Sequence, residues 1–182
     1  AAVLGQAEAV EALAANCRAP GEAEEDARSL DDAGLTLLHR CVLAGSGAPH
    51  VLAVRALVQA RASADAPDGR GETALATAAR SSGSQVVRAL LQLRASVDVP
   101  DSKGETPLML ATQHAKEVRV CELLLEAAAD VFHRAASGRS ALELAAARPE
   151  VRAALEPYAA RRWWAEAELS LFRRAGAGEE AW

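Results

Sequence analysis

The side chains with chemistry to offer are four histidines, three cysteines and one glycine-rich step, and their spacing decides how little they could do together. His39, His50, His114 and His133 stand at no ligand-like interval from one another or from Cys17, Cys41 and Cys121, whereas a zinc site draws its ligands from short, regular spacings. We therefore expect no metal and no cofactor. The cysteines are odd in number, widely spaced and form no Cys-x-x-Cys pair, with Cys121 reading as a small core residue. That usage points to a reducing intracellular compartment, either the cytoplasm or an organelle reached after processing. Gly45-Ser46-Gly47 opens like a phosphate-binding loop, but His50 stands where the third glycine belongs and no buried strand precedes it. Walker-type, Gly-x-Ser-x-Gly and paired-carboxylate patterns are absent. Acid–base and nucleophilic catalysis need groups converging in a pocket, so the chain reads as non-enzymatic.

A second set of polar residues is more regular. Arg70 and Lys103 each precede a glycine, Glu72 and Glu105 each follow one, and Arg139 follows a third with the opposite sign. The glycines head copies of one stretch: Gly34-Leu35-Thr36-Leu37-Leu38-His39, Gly71-Glu72-Thr73-Ala74-Leu75-Ala76, Gly104-Glu105-Thr106-Pro107-Leu108-Met109 and Gly138-Arg139-Ser140-Ala141-Leu142-Glu143. They are spaced by 37, 33 and 34 residues, a period that marks a stacked-repeat solenoid. The polar segments Pro67-Asp68-Gly69-Arg70 and Pro100-Asp101-Ser102-Lys103 read as tight turns closing on a residue without a Cβ. Thr73, Thr106 and Ser140 fit helix N-caps, and Pro107 suits a first helical position. After a polar break, Val54 to Val58, Val86 to Leu91 and Val120 to Leu125 carry helical apolar spacing. Each unit is thus helix, turn, helix and an extended finger leading to the next glycine. Leu75, Leu108 and Leu142 are expected in the seam between units.

Gly-x-Thr-Pro-Leu, the paired alanines, the Val/Leu-rich second helix and the Asp-x-x-Gly turns at Asp31, Asp68 and Asp101 resemble the ankyrin repeat over roughly residues 1–157. The resemblance implies an all-α ankyrin solenoid with short β-hairpin-like fingers and a non-catalytic role in binding another protein. It also implies that His39 ties turn to helix. Where the family ends its second helix with glycine, this chain has Arg61, Arg94 and Ala128, so a left-handed backbone is expected there at a cost of about 1 kcal/mol each. Ala135 replaces the turn Asp in the last finger, which predicts a looser turn, and four extra residues around Gly45 to His50 predict a longer inter-helix loop.

The units fall at 1–30 (a partial repeat with the acidic insertion Glu22-Ala23-Glu24-Glu25-Asp26), 31–67, 68–100, 101–134 and a degraded 135–157. The missing initiator methionine and the mid-repeat start suggest a sequence trimmed inside a repeat. In the last repeat Pro149 is expected to open a short helix that Pro157 closes. Residues 158–182 then read as an aromatic and arginine-rich capping helix and tail, holding five of the six aromatic residues. Trp163, Trp164, Ala167 and Leu171 form one apolar stripe, and Ala165, Leu169 and Phe172 a second, which a simple cap would not require.

Candidate partner contacts are accordingly Arg70, Glu72, Lys103, Glu105 and Arg139 on the fingers, with Trp163, Trp164, Leu169 and Phe172 on the last helix. The plainer alternatives stay open: the finger charges only solubilise, and both stripes fold onto the solenoid. Residues 35–147 carry eleven acidic against twelve basic side chains with no clustered Lys/Arg, which argues against nucleic acid. No apolar run approaches a membrane span, and Glu166 and Glu168 oppose a membrane-surface role for the last helix. An adaptor and a peripheral subunit of a large assembly, organellar included, remain alternatives.

Overall fold

The computed structural model describes residues 34–160 except 46, 60, 61 and 82. The partial first repeat with its acidic run, the aromatic C-terminal helix and the conformation of Arg61 lie outside the described residues. The helices alternate along the chain as α1 (Leu37–Ala44), α2 (Ala48–Gln59), α3 (Ala74–Ser81), α4 (Ser84–Gln92), α5 (Pro107–His114), α6 (Val118–Glu126) and α7 (Ala141–Leu144). A 3-10 turn, Ala145–Ala147, then leads to α8, whose described part covers 149–160.

The odd-numbered helices stack on one another, as do α2, α4 and α6, and each first helix packs on its own second helix. That arrangement explains two compositions. In α3 six consecutive residues from Ala74 to Ala79 are buried, because α1, α5 and α4 surround it and alanine lets them approach closely. By contrast α4 buries Val86, Val87, Ala89 and Leu90 while Gln85, Arg88 and Gln92 stay exposed, the single apolar stripe of an outer helix. One continuous apolar cluster runs from Leu38 in α1 to Leu155 in α8, with no unit owning a separate core. Leu75 and Leu108 are fully buried in it and Leu142 only partly, since Leu142 stands near its end.

Both described non-glycine helix ends are left-handed: Arg94 has φ 63° and Ala128 φ 65°. The reason is the bond one residue later, where Ala95 N–H reaches back to the Leu90 carbonyl at 3.1 Å and Ala129 N–H to that of Leu124 at 3.0 Å. Closing the helix this way satisfies orphan carbonyls and costs a side-chain-bearing residue about 1 kcal/mol.

Three local expectations change. The extra residues near Gly45 do not lengthen the loop; they lengthen α2, which has 12 residues against 9 in both α4 and α6. Pro49 fits there because it is the second helical residue and has no N–H to satisfy. The His50 ring folds back onto Gly45, where an added Cβ would lie 2.7 Å from Cε1. Pro157 does not close the last helix, which is continuous through 160, with Val151 and Leu155 buried and Tyr158 and Ala159 packed on the core. Burial of that stripe outweighs the one backbone bond proline removes. Finally, Thr106 occupies an N-cap position without making the cap bond, and its buried hydroxyl has no partner among the described residues.

Candidate partner-binding face

Each central finger is a closed turn built around one carboxylate. Asp68 Oδ1 accepts the N–H groups of Arg70 and Glu72, both at 2.8 Å, while Asp68 N–H reaches the Glu72 carbonyl at 2.8 Å. Asp101 repeats this with Lys103 and Glu105, both at 2.8 Å, and a backbone bond of 3.0 Å. Gly71 must then turn with φ +77°, and a Cβ on it would meet Ser102 N at 3.0 Å. The glycine thus answers a twist and a close approach by the next finger at once. Neighbouring fingers are joined edge to edge: Ser102 N–H donates to the Arg70 carbonyl at 3.2 Å and Ala136 N–H to that of Lys103 at 2.9 Å.

The third finger keeps the backbone pair, Ala135 N–H to the Arg139 carbonyl at 3.1 Å, without the carboxylate. The Arg134 guanidinium spans it instead, donating to the Gly138 carbonyl and approaching Glu143 at 3.5 Å. Its exit is firm, because Ser140 and Glu143 form a reciprocal capping box at the start of α7.

The row of alternating exposed charges expected on the fingers is not what forms. Glu72 is buried; its carboxylate turns back along α3 to take the Arg80 guanidinium at 2.8 Å and the Thr77 hydroxyl at 3.3 Å. Glu105 is half-buried and turns the same way to Gln113 Nε2 at 2.9 Å. Both partners lie eight residues on, about two helical turns, where a first-helix side chain can reach its own finger. Arg70, Lys103 and Arg139 stay exposed, with no side-chain hydrogen bond among the described residues. The outward charge of the row is therefore basic. Trp163, Trp164, Leu169 and Phe172 lie outside the described residues.

What rigidifies this face is partly a histidine. His39 is fully buried, with Nδ1 2.6 Å from Thr36 Oγ1 and Nε2 2.9 Å from the Glu72 carbonyl. A carbonyl only accepts, so Nε2 carries the proton and, in the neutral ring, the Thr36 hydroxyl donates to Nδ1. Further rungs follow on the finger bases. Asp65 accepts Ser96 N–H at 2.8 Å, and Asp98 accepts Asp130 N–H at 3.0 Å. Arg80, Gln113 and these two aspartates were not singled out from sequence, although eight-residue and 33-residue intervals carry them.

Among the described residues no group of three His, Cys, Asp or Glu is placed to hold a metal ion. Burial pushes the Cys121 thiol up to about 11 and also raises that of Cys41, against the lowering effect of Arg40 on the latter, so neither is a thiolate near neutral pH.

A family model described as ankyrin repeats (3 copies) matches residues 1–101 and 48–135, together residues 1–135 of 182. The chain belongs to the ankyrin-repeat family. No curated protein matches it. Ankyrin repeats are generally protein–protein interaction modules, and in this ankyrin solenoid the described fingers are joined to one another by backbone hydrogen bonds. Among the described residues no helix is long and apolar enough to cross a membrane.

Proposed function

We propose that this ankyrin solenoid is a non-catalytic scaffold or adaptor that holds another protein along its fingers. The observation that carries the reading is the row Arg70, Lys103 and Arg139, exposed and without side-chain hydrogen bonds among the described residues, on a ladder of hydrogen-bonded turns. A preorganised edge loses little entropy on binding, and arginine is enriched among residues that dominate interface energies. Glu72 and Glu105 hold the edge in place and do not contact the partner. Trp163, Trp164, Leu169 and Phe172 would add apolar anchors if the helix expected over residues 158–182 presents one of its stripes outward. Nucleic acid is not the partner we propose, since the basic side chains of residues 35–147 are balanced by acidic ones.

The test is a triple charge reversal, Arg70→Glu, Lys103→Glu and Arg139→Glu, used beside the parent chain to capture proteins from its own cells. A partner lost by the variant, at an unchanged melting temperature, is the expected result. Identical capture by both chains would remove the fingers from the reading, and loss of binding only on changing Leu169 and Phe172 to serine would move the site to the aromatic segment that contains them.

A further inference from the structure

The three fingers differ in a way that their role as a binding edge does not use. The first two are clamped by a buried or half-buried aspartate and bonded to the finger that follows, through the Arg70 and Lys103 carbonyls. The third has Ala135 in place of the aspartate, so the N–H groups of Ser137 and Arg139 lack the side-chain acceptor their counterparts enjoy. No described finger follows it either, and a Cβ built on Gly138 meets nothing within 4 Å. Ser137 sits at its tip, exposed, with no hydrogen bond to its hydroxyl among the described residues. Arg134 precedes it by three residues and Arg139 follows by two.

We infer that Ser137 is a phosphorylation site for an arginine-directed serine kinase, one that reads a basic side chain three residues before its target. Other described hydroxyls fail one condition or another. Thr73 and Thr106 follow Arg70 and Lys103 by the same interval but are fully buried. Ser96 and Ser140 are engaged, with Asp65 and in the capping box. Ser102 is exposed but has Asp101 beside it and Val99 at the arginine position. For a kinase to read the third finger, Arg134 must leave the Gly138 carbonyl and Glu143, contacts made by an exposed side chain whose bonds water can replace.

In the transfer the Ser137 Oγ forms a bond to the γ-phosphorus of MgATP and the bond from that phosphorus to the bridging oxygen breaks. ADP leaves, and the hydroxyl proton passes to the kinase's catalytic aspartate. The product adds a charge of about −1.5 to −2 at pH 7 beside Arg139 and one finger away from Lys103. That reverses the sign of one end of the basic row. This consequence rests on the binding reading above, whereas the modification itself does not.

The experiment uses the full chain with MgATP and purified calcium/calmodulin-dependent protein kinase, with no partner present, so that a failure of the binding reading leaves it unaffected. Expected is one phosphate per chain at Ser137 by mass spectrometry, none there in Ser137→Ala, and a rate lowered about tenfold or more in Arg134→Gln at an unchanged melting temperature. Ala135→Asp should rebuild the clamp and slow the folded chain at least about threefold more than it slows a free peptide of residues 131–141. Phosphate found only at other residues, or a Ser137 rate indifferent to Arg134→Gln, overturns the site. Equal effects of Ala135→Asp on chain and peptide overturn the role given to the unclamped finger.

Discussion

Two joints between repeats show how the same stacking can rest on different chemistry. At the first, buried His39 is held by Thr36 of its own repeat and reaches the Glu72 carbonyl of the next finger, so one polar contact links α1 to that finger and a second orients the ring that makes it. At the third, five residues after Gly104, Met109 fills the same place, and the Thr106 hydroxyl is buried with no partner among the described residues. Both joints close, and both bury their side chain completely. The lesson is that apolar packing assembles the seam at either place, while the histidine adds specific fastening and the methionine leaves one polar group uncompensated.

The comparison is broken most severely by attacking what the two joints share. Leu108→Ala empties a site packed on both sides and should cost about 2–5 kcal/mol, with Leu142→Ala costing clearly less because Leu142 is partly exposed. Denaturant unfolding of the two variants checks it, and equal losses would count against a continuous seam. His39→Leu removes the fastening alone; it should cost about 1–3 kcal/mol, since Thr36 Oγ1 loses its ring partner and the Glu72 carbonyl loses one of two donors. A melting temperature unchanged by that substitution would reduce the histidine to packing. The smallest effect is also the sharpest. Met109→His should stabilise the chain by about 0.5–1.5 kcal/mol, because a ring there can take the Thr106 hydroxyl and donate to the Arg139 carbonyl as His39 does at the first joint. A loss of stability would mean that thioether packing matters more at this joint than the orphaned hydroxyl.

Much of the architecture was legible in the residues because it is local. The glycines at a near-fixed interval, the Ser140 cap and Pro107 at the start of α5 each follow from what one or two φ angles or a missing N–H permit. The left-handed Arg94 and Ala128 were legible through the family pattern, which marks where the second helix must end. The candidate site was less so. Arg70, Lys103 and Arg139 do face outward, but Glu72 and Glu105 share their neighbourhood in sequence and do not share their direction.

Sequence by itself determined the repeat, its period, its turn residues and the family, since these depend on spacing within about one unit and on side chains acting on their own backbone. Tertiary structure alone decided whether a charge is presented or spent. Arg80 and Gln113 call Glu72 and Glu105 inward across two helical turns, and the Asp68 and Asp101 clamps fix the fingers from which Arg70 and Lys103 project. It also decided that extra residues lengthen α2, that α8 runs through Pro157, and that Thr106 goes without a partner among the described residues, because each outcome depends on what a residue meets in space and not on its neighbours in sequence.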